Sequence, residues 1–255
     1  MFLGVPPGKE HLMRLLESFK DKLIFDESLV EATGVFLDRV DGGRRLADLI
    51  RRAGLDRELD LVLAIPCGGV PVGFELASEL GLALDLVIVR KILIPWNTEA
   101  GYGAVSPDGE YILNEPLRTY LGFTDEEVKE HVAQTYREVR RREAVFRNNR
   151  SYDFIKGSSV LLVDDGIASG YTMLAAVDFV RRKGASRIVV GAPTASLSGI
   201  RLLYDRVDHL VIPNVRSGIP VFAVADAYIL WYDLKDEEVL EYIKKAQEKG
   251  LLPLS

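Results

Sequence analysis

Two adjacent carboxylates, Asp164 and Asp165, stand at the end of the apolar run Ser159–Val163. A turn of small residues follows, Gly166-Ile167-Ala168-Ser169-Gly170, and then a helix-period segment that carries Thr172. A strand that runs into a helix through such a turn presents backbone N–H groups at the helix N-terminus. There the peptide dipoles favour an anion. The hydroxyls of Ser169 and Thr172 add donors to this phosphate cradle. Carboxylates repel phosphate; they suit neighbouring hydroxyls or a divalent metal. A ligand with a phosphate close to a vicinal diol satisfies both halves, and ribose 5-phosphate is such a ligand. The rival phosphate motifs are missing: there is no GxxxxGK[ST] and no GxGxxG. A phospho-acceptor receiver also pairs Asp residues at a strand end, but its pair opens the domain, and this pair lies mid-chain.

Those residues need a scaffold, and the apolar pattern predicts one. Leu59–Ile65, Leu84–Val89, Ser159–Val163, Arg187–Val190 and His209–Ile212 are short, β-branched and almost continuously apolar. That is the mark of parallel strands covered on both faces. Helix-period segments lie between them: 42–53, 70–80, 124–146 and 170–183. Thr124 and Glu127 form a capping box, and Gly184 is placed to end its helix. The alternation predicts an α/β fold with a doubly wound, mostly parallel sheet. Residues 91–114 read as a long loop with a short β excursion at 110–113 after a Pro-Asp-Gly turn. An aromatic-rich stretch, 219–234, and a polar helix, 235–249, close the chain. No linker or repeat interrupts it, so the expectation is one domain over 1–255.

Composition narrows the function class. The chain has 255 residues and a net charge of −6, which disfavours nucleic acid as a partner. One cysteine, Cys67, excludes an internal disulfide, and three scattered histidines do not form a metal cluster. Cys67 sits at a strand-to-helix junction without an assigned His partner, so it reads as an inert small residue. No apolar run is long enough to span a membrane, and the first residues lack a signal-peptide pattern. A cytoplasmic location is the resulting expectation. Arg137, Arg140, Arg141, Arg142, Arg147 and Arg150 read as a solvated face near a helix C-terminus, with the alternative that some reach a ligand phosphate.

The segment Val160–Thr172, VLLVDDGIASGYT, resembles the phosphoribosyl pyrophosphate (PRPP) signature of type I phosphoribosyltransferases. The resemblance extends to Phe36–Arg39, to Pro66-Cys67-Gly68-Gly69-Val70-Pro71-Val72, to Val89-Arg90-Lys91 with Gly103-Ala104-Val105, and to Phe222-Ala223-Val224. It implies a core over about 36–215 and a small hood from about 1–35 and 216–255. By this resemblance Asp164 and Asp165 hold the ribose hydroxyls and, directly or through them, Mg²⁺. The turn Ala168-Ser169-Gly170-Tyr171-Thr172 wraps the 5-phosphate, Gly68 and Gly69 face pyrophosphate in a loop that often holds a cis peptide, and Arg90 and Lys91 neutralise pyrophosphate as it leaves. Cys67 would line the same site, and it departs from the subgroup pattern, which has arginine there. Trp231, Tyr232, Tyr228 and Phe222 are candidates to stack on the acceptor, and Trp96 to close over it. The expectation is an Mg²⁺-dependent transferase of nucleotide metabolism, a homodimer moving ribose 5-phosphate from PRPP to a nitrogenous acceptor such as a nucleobase. The alternatives are a non-catalytic PRPP or nucleotide regulator and a hydrolase in which water is the acceptor.

Overall fold

Near-continuous apolar runs can be strands only if both their faces are covered, and the computed structural model, which describes residues 8–219 and 221–253, covers them with helices. The chain begins with α1 (Lys9–Leu16), β1 (Leu23–Ile24), α2 (Arg39–Arg52), β2 (Leu61–Ala64), α3 (Gly69–Leu80) and β3 (Ala83–Leu86). An insertion follows: β4 (Arg90–Leu93), β5 (Gly101–Val105), β6 (Tyr111–Leu113), α4 (Glu115–Leu121) and the long α5 (Asp125–Arg147). The second half comprises β7 (Ser159–Val163), α6 (Tyr171–Arg182), β8 (Arg187–Gly191), β9 (Thr194–Ser196) and α7 (Leu197–Leu203). It ends with β10 (His209–Val211), β11 (Asn214–Arg216) and α8 (Asp236–Glu248).

The central sheet is parallel, in the order β1-β10-β8-β7-β2-β3. Side chains alternate across it. Leu61, Leu63, Val160 and Leu162 join one core with α1, α6 and α7. Val62, Ala64, Leu161 and Val163 join the other, with α2, α3 and α5. From β2 the chain goes to β3 on one side and later returns as β7 on the other, in the register Leu63↔Leu162 and Ala64↔Val163. A reversal of this kind opens a crevice at the C-terminal strand ends, where ligands bind in open α/β sheets. The crevice lies between the Pro66–Gly69 turn and Asp164-Asp165.

Several expectations change. The N-terminal segment, expected in the hood, instead contributes an edge strand to the main sheet, β1 on β10, and Leu12 and Leu16 to the core. Its first seven residues lie outside the described residues. The stretch Gly34–Leu37 does meet the C-terminal segment, through bonds from Gly34 to Asp226, from Val35 and Phe36 to Ala227, and from Ile229 and Leu230 to Phe36 and Leu37. The long loop 91–114 is a three-stranded antiparallel sheet, β4-β5-β6. Gly103 allows the close pairing, since a Cβ there would lie 2.4 Å from the Ile112 carbonyl. The Pro107-Asp108-Gly109 turn forms as expected, with Gly109 at φ +85° and Arg182 of α6 holding Asp108. The capping box at Thr124 and Glu127 is present. No helix among the described residues is long and apolar enough to cross a membrane.

Candidate functional site

At the end of β7 the two carboxylates diverge. Asp165 is buried, and its Oδ2 accepts a 2.8 Å bond from Arg39 Nε. Its backbone carbonyl accepts a 2.6 Å bond from the Tyr228 hydroxyl. Burial, followed by the Asp165 charge, pushes the Tyr228 hydroxyl well above its ordinary value, so it stays a donor. Asp164 is half-buried, and its Oδ1 accepts from the Asp165 amide at 2.8 Å. Burial and the neighbouring Asp165 charge hold Asp164 well above the usual carboxylate range.

Beyond the carboxylates, the small-residue turn is held from below. The Ile167 amide donates to the Thr194 carbonyl of β9, the Ser196 amide donates back to Ile167, and the Ser196 hydroxyl donates to the Ala168 carbonyl at 2.5 Å. Gly170 ends the turn at φ +87°, in the left-handed region, where a Cβ would also crowd Gly199. Helix α6 then starts without a side-chain cap, and so does α3 at Gly68. By contrast α2, α4, α5 and α7 are capped by Asp38, Asn114, Thr124 and Ser196. Two helix starts without side-chain caps therefore open on one crevice; at α6 the amides of 168–172 are free, while at α3 the Gly69 and Val70 amides donate to Ile65 and Cys67 and Pro71 has none, which leaves the Gly68 amide.

That crevice has a volume of about 410 Å³. Of the site residues expected from sequence, Cys67, Gly68, Arg90, Lys91, Asp164, Asp165, Ala168, Ser169, Gly170 and Thr172 line it. Gly69 and Tyr171 do not. The Gly69 amide already donates to Ile65, and a Cβ at Gly69 would lie 2.7 Å from the Val163 carbonyl, so this glycine lets α3 approach β7. Tyr171 opens α6 without lining the crevice. Gly68 is more tightly constrained: a Cβ there would lie 2.0 Å from Asp165 Oδ2. The peptide between Pro66 and Cys67 is cis.

Cys67 stays a neutral thiol. Burial pushes it up, Arg142 opposes that, and Asp236 accepts from its sulfur at 3.7 Å. Lys91 Nζ donates to the Glu99 carbonyl at 2.7 Å. Burial and the nearby Arg142 charge draw Arg90 below its ordinary value.

Arg39, Met173, Asp233 and Leu234 also line the crevice, and sequence reasoning did not single them out as site residues. Arg39 lies in the Phe36–Arg39 match, which was the available signal. Its guanidinium also donates to the Tyr232 carbonyl and stacks 3.9 Å from the Trp231 ring centre. Of the aromatic candidates, Trp231 alone lines the crevice. Tyr228 supports Asp165 from beneath, Tyr232 is exposed, Phe222 packs against Arg216, and Trp96 packs against Phe123 away from the crevice. The arginine cluster also divides. Arg147 is fully buried on Asp85 and Glu143, Arg137 and Arg140 are exposed, and Arg142 reaches the crevice.

No group of three or more His, Cys, Asp or Glu among the described residues could hold a metal alone. Asp164 and Asp165, hard oxygen donors at one strand end, fit Mg²⁺ in kind, since that ion binds through one or two carboxylates.

The family model of the phosphoribosyl transferase domain matches residues 36–208. A Mycobacterium tuberculosis protein with the provisional name phosphoribosyl transferase is 33% identical over 214 residues, covering 83% of this chain. The match covers 47% of that relative, so the chain spans about half its length. An adenine phosphoribosyltransferase of Marinobacter nauticus is 29% identical over 164 residues, 64% of this chain and 71% of its own. Among solved structures, a protein from Thermus thermophilus matches with a TM-score of 0.66 and 34% identity, over 82% of this chain and 98% of that one.

Proposed function

The chain belongs to the phosphoribosyl transferase family, and from that membership and the crevice we infer that it transfers ribose 5-phosphate from PRPP to a nitrogenous acceptor, releasing pyrophosphate. The observation that supports this most is the pair of uncapped helix N-termini on either side of Asp164-Asp165. PRPP has the matching order: a 5-phosphate, a vicinal diol, then a pyrophosphate on C1.

In this reading the free amides of 168–172, with the Ser169 and Thr172 hydroxyls, hold the 5-phosphate. Asp164 and Asp165 accept from the ribose hydroxyls. The Gly68 amide, Arg90 and Lys91 face the pyrophosphate. The acceptor nitrogen forms a bond to C1 as the C1–O bond to pyrophosphate breaks. The electron pair leaves with the pyrophosphate, and the proton of the acceptor nitrogen passes to solvent. Positive charge grows on the sugar near the two aspartates, and negative charge grows beside the cations. Catalysis thus rests on positioning and electrostatics, without a protein nucleophile. Arg39 and Tyr228 fix Asp165 in advance of binding, and Trp231 offers a face for a planar acceptor. Asp164 and Asp165 would hold Mg²⁺, which would supply charge neutralisation to the leaving group.

The test is pyrophosphate release from Mg²⁺ and PRPP with a panel of nucleobases. Release that depends on one base class supports transfer. Release without any base supports hydrolysis, and tight PRPP binding without release supports the regulator.

A further inference from the structure

Arg142 on α5 has an unusual balance of partners. Its Nη2 pairs with Asp236 at 3.0 Å, which anchors the side chain to the start of α8. Its Nε and Nη1 are shielded from solvent and have no hydrogen-bond partner. The side chain is only 12% exposed, and it lines the crevice beside Cys67 and Arg90. Buried donors in native folds are nearly always paired, so two on one guanidinium point to an absent acceptor. The neighbours narrow that acceptor. Cys67 is uncharged, and the Asp236 oxygen it meets is the one Arg142 already engages. Lys91 already donates to the carbonyl of Glu99. This wall, with Arg90, Lys91, Arg142 and the Gly68 amide at the start of α3, suits an anion of more than one charge. The 5-phosphate cradle at α6 lies on the other side of the aspartates.

Resting on the PRPP reading above, we propose that Arg142 is a pyrophosphate-binding residue. Its Nε and Nη1 donate to pyrophosphate oxygens, and it brings from α5 the fixed charge that Cys67 does not bring to the turn after β2. A guanidinium anchored through Nη2 keeps donors on two separate edges, at Nε and at Nη1, each free for a phosphate oxygen.

The test is calorimetric titration of wild type, Arg142→Gln and Arg142→Lys with Mg²⁺-PRPP, Mg²⁺-pyrophosphate and ribose 5-phosphate. Arg142→Gln should weaken PRPP and pyrophosphate about 10- to 100-fold, the loss of charge-assisted bonds, and leave ribose 5-phosphate within about twofold. Ribose 5-phosphate binding certifies a folded crevice in each protein. If Arg142→Gln does not fold, Arg142→Lys keeps the charge without the planar set of donors and should lose PRPP selectively by about 3- to 10-fold. Equal affinities for PRPP in wild type and variants, or an equal loss of all three ligands, overturns the proposal and leaves the PRPP reading intact. Wild type that binds none of the three overturns both.

Discussion

Replacing Arg39 with leucine should expose how far the site depends on charges set in place before the ligand arrives. The Arg39–Asp165 pair is almost fully buried, with side chains 8% and 12% exposed and a 2.8 Å contact. Removing one partner of such a pair leaves an uncompensated charge in a poorly solvated place, a loss of about 3–5 kcal/mol. The guanidinium stacked on Trp231 and its bond to Tyr232 go as well. For a chain of this size each kcal/mol moves the midpoint by about 2–4 °C, so Arg39→Leu should melt roughly 6–20 °C below wild type. Thermal unfolding with a double-mutant cycle on Asp165→Asn separates the pair from general damage. Asp165→Asn removes the stranded charge, so the double variant should be more stable than the sum of the single losses by at least about 1 kcal/mol. Arg39→Leu losing under about 1 kcal/mol, or losses additive within about 0.5 kcal/mol, refutes the reasoning.

Three further outcomes follow from the same geometry. Asp164 keeps its proton in the fold to a higher pH than in the unfolded chain. The stability this contributes is fully present below the unfolded value near 4 and is lost as pH rises through the folded value. Asp164→Asn should therefore melt with wild type at about pH 3, melt above it as pH rises, and bind PRPP more weakly; melting curves across pH and calorimetry check this. Gly68→Ala should lower PRPP affinity at least about 10-fold, because its Cβ would occupy the place of Asp165 Oδ2; calorimetry of the folded variant reads it. Cys67, raised by burial, should alkylate with iodoacetamide at pH 7 more slowly than a free thiol such as glutathione, followed by mass spectrometry.

The strand, aspartate pair and small-residue turn of 159–172 were legible because their signal is local: apolar residues, then carboxylates, then glycines, in one contiguous stretch. Five of the central sheet's six strands were legible for the same reason, although Leu84–Val89 leaves the ladder after Leu86; the two-residue edge strand β1, made by pairing with β10, was not. Of the β4-β5-β6 sheet only β6 was legible, as the excursion at 110–113; Gly101 and Gly103 read as loop and pairing made them strand. The short helix α7 depends on its Ser196 cap and on packing of Ile200 and Leu203 into the core, a tertiary gain that propensity does not record. Arg39 reaches Asp165 across 126 positions, a contact that only the fold creates. Arg142 stands in the run Arg140-Arg141-Arg142, where the residue types are identical and only the helix rotation sends one to the crevice. The carboxylates were readable as a pair, but the partners that fix Asp165, Arg39 of α2 and Tyr228, were not.

The most direct test of the whole account is calorimetric titration of Mg²⁺-PRPP into wild type and into the Asp164→Asn/Asp165→Asn double variant. The account predicts saturable one-to-one binding by wild type and a loss of affinity of at least about 100-fold in the double variant. Equal affinities, or no binding by wild type, would contradict it.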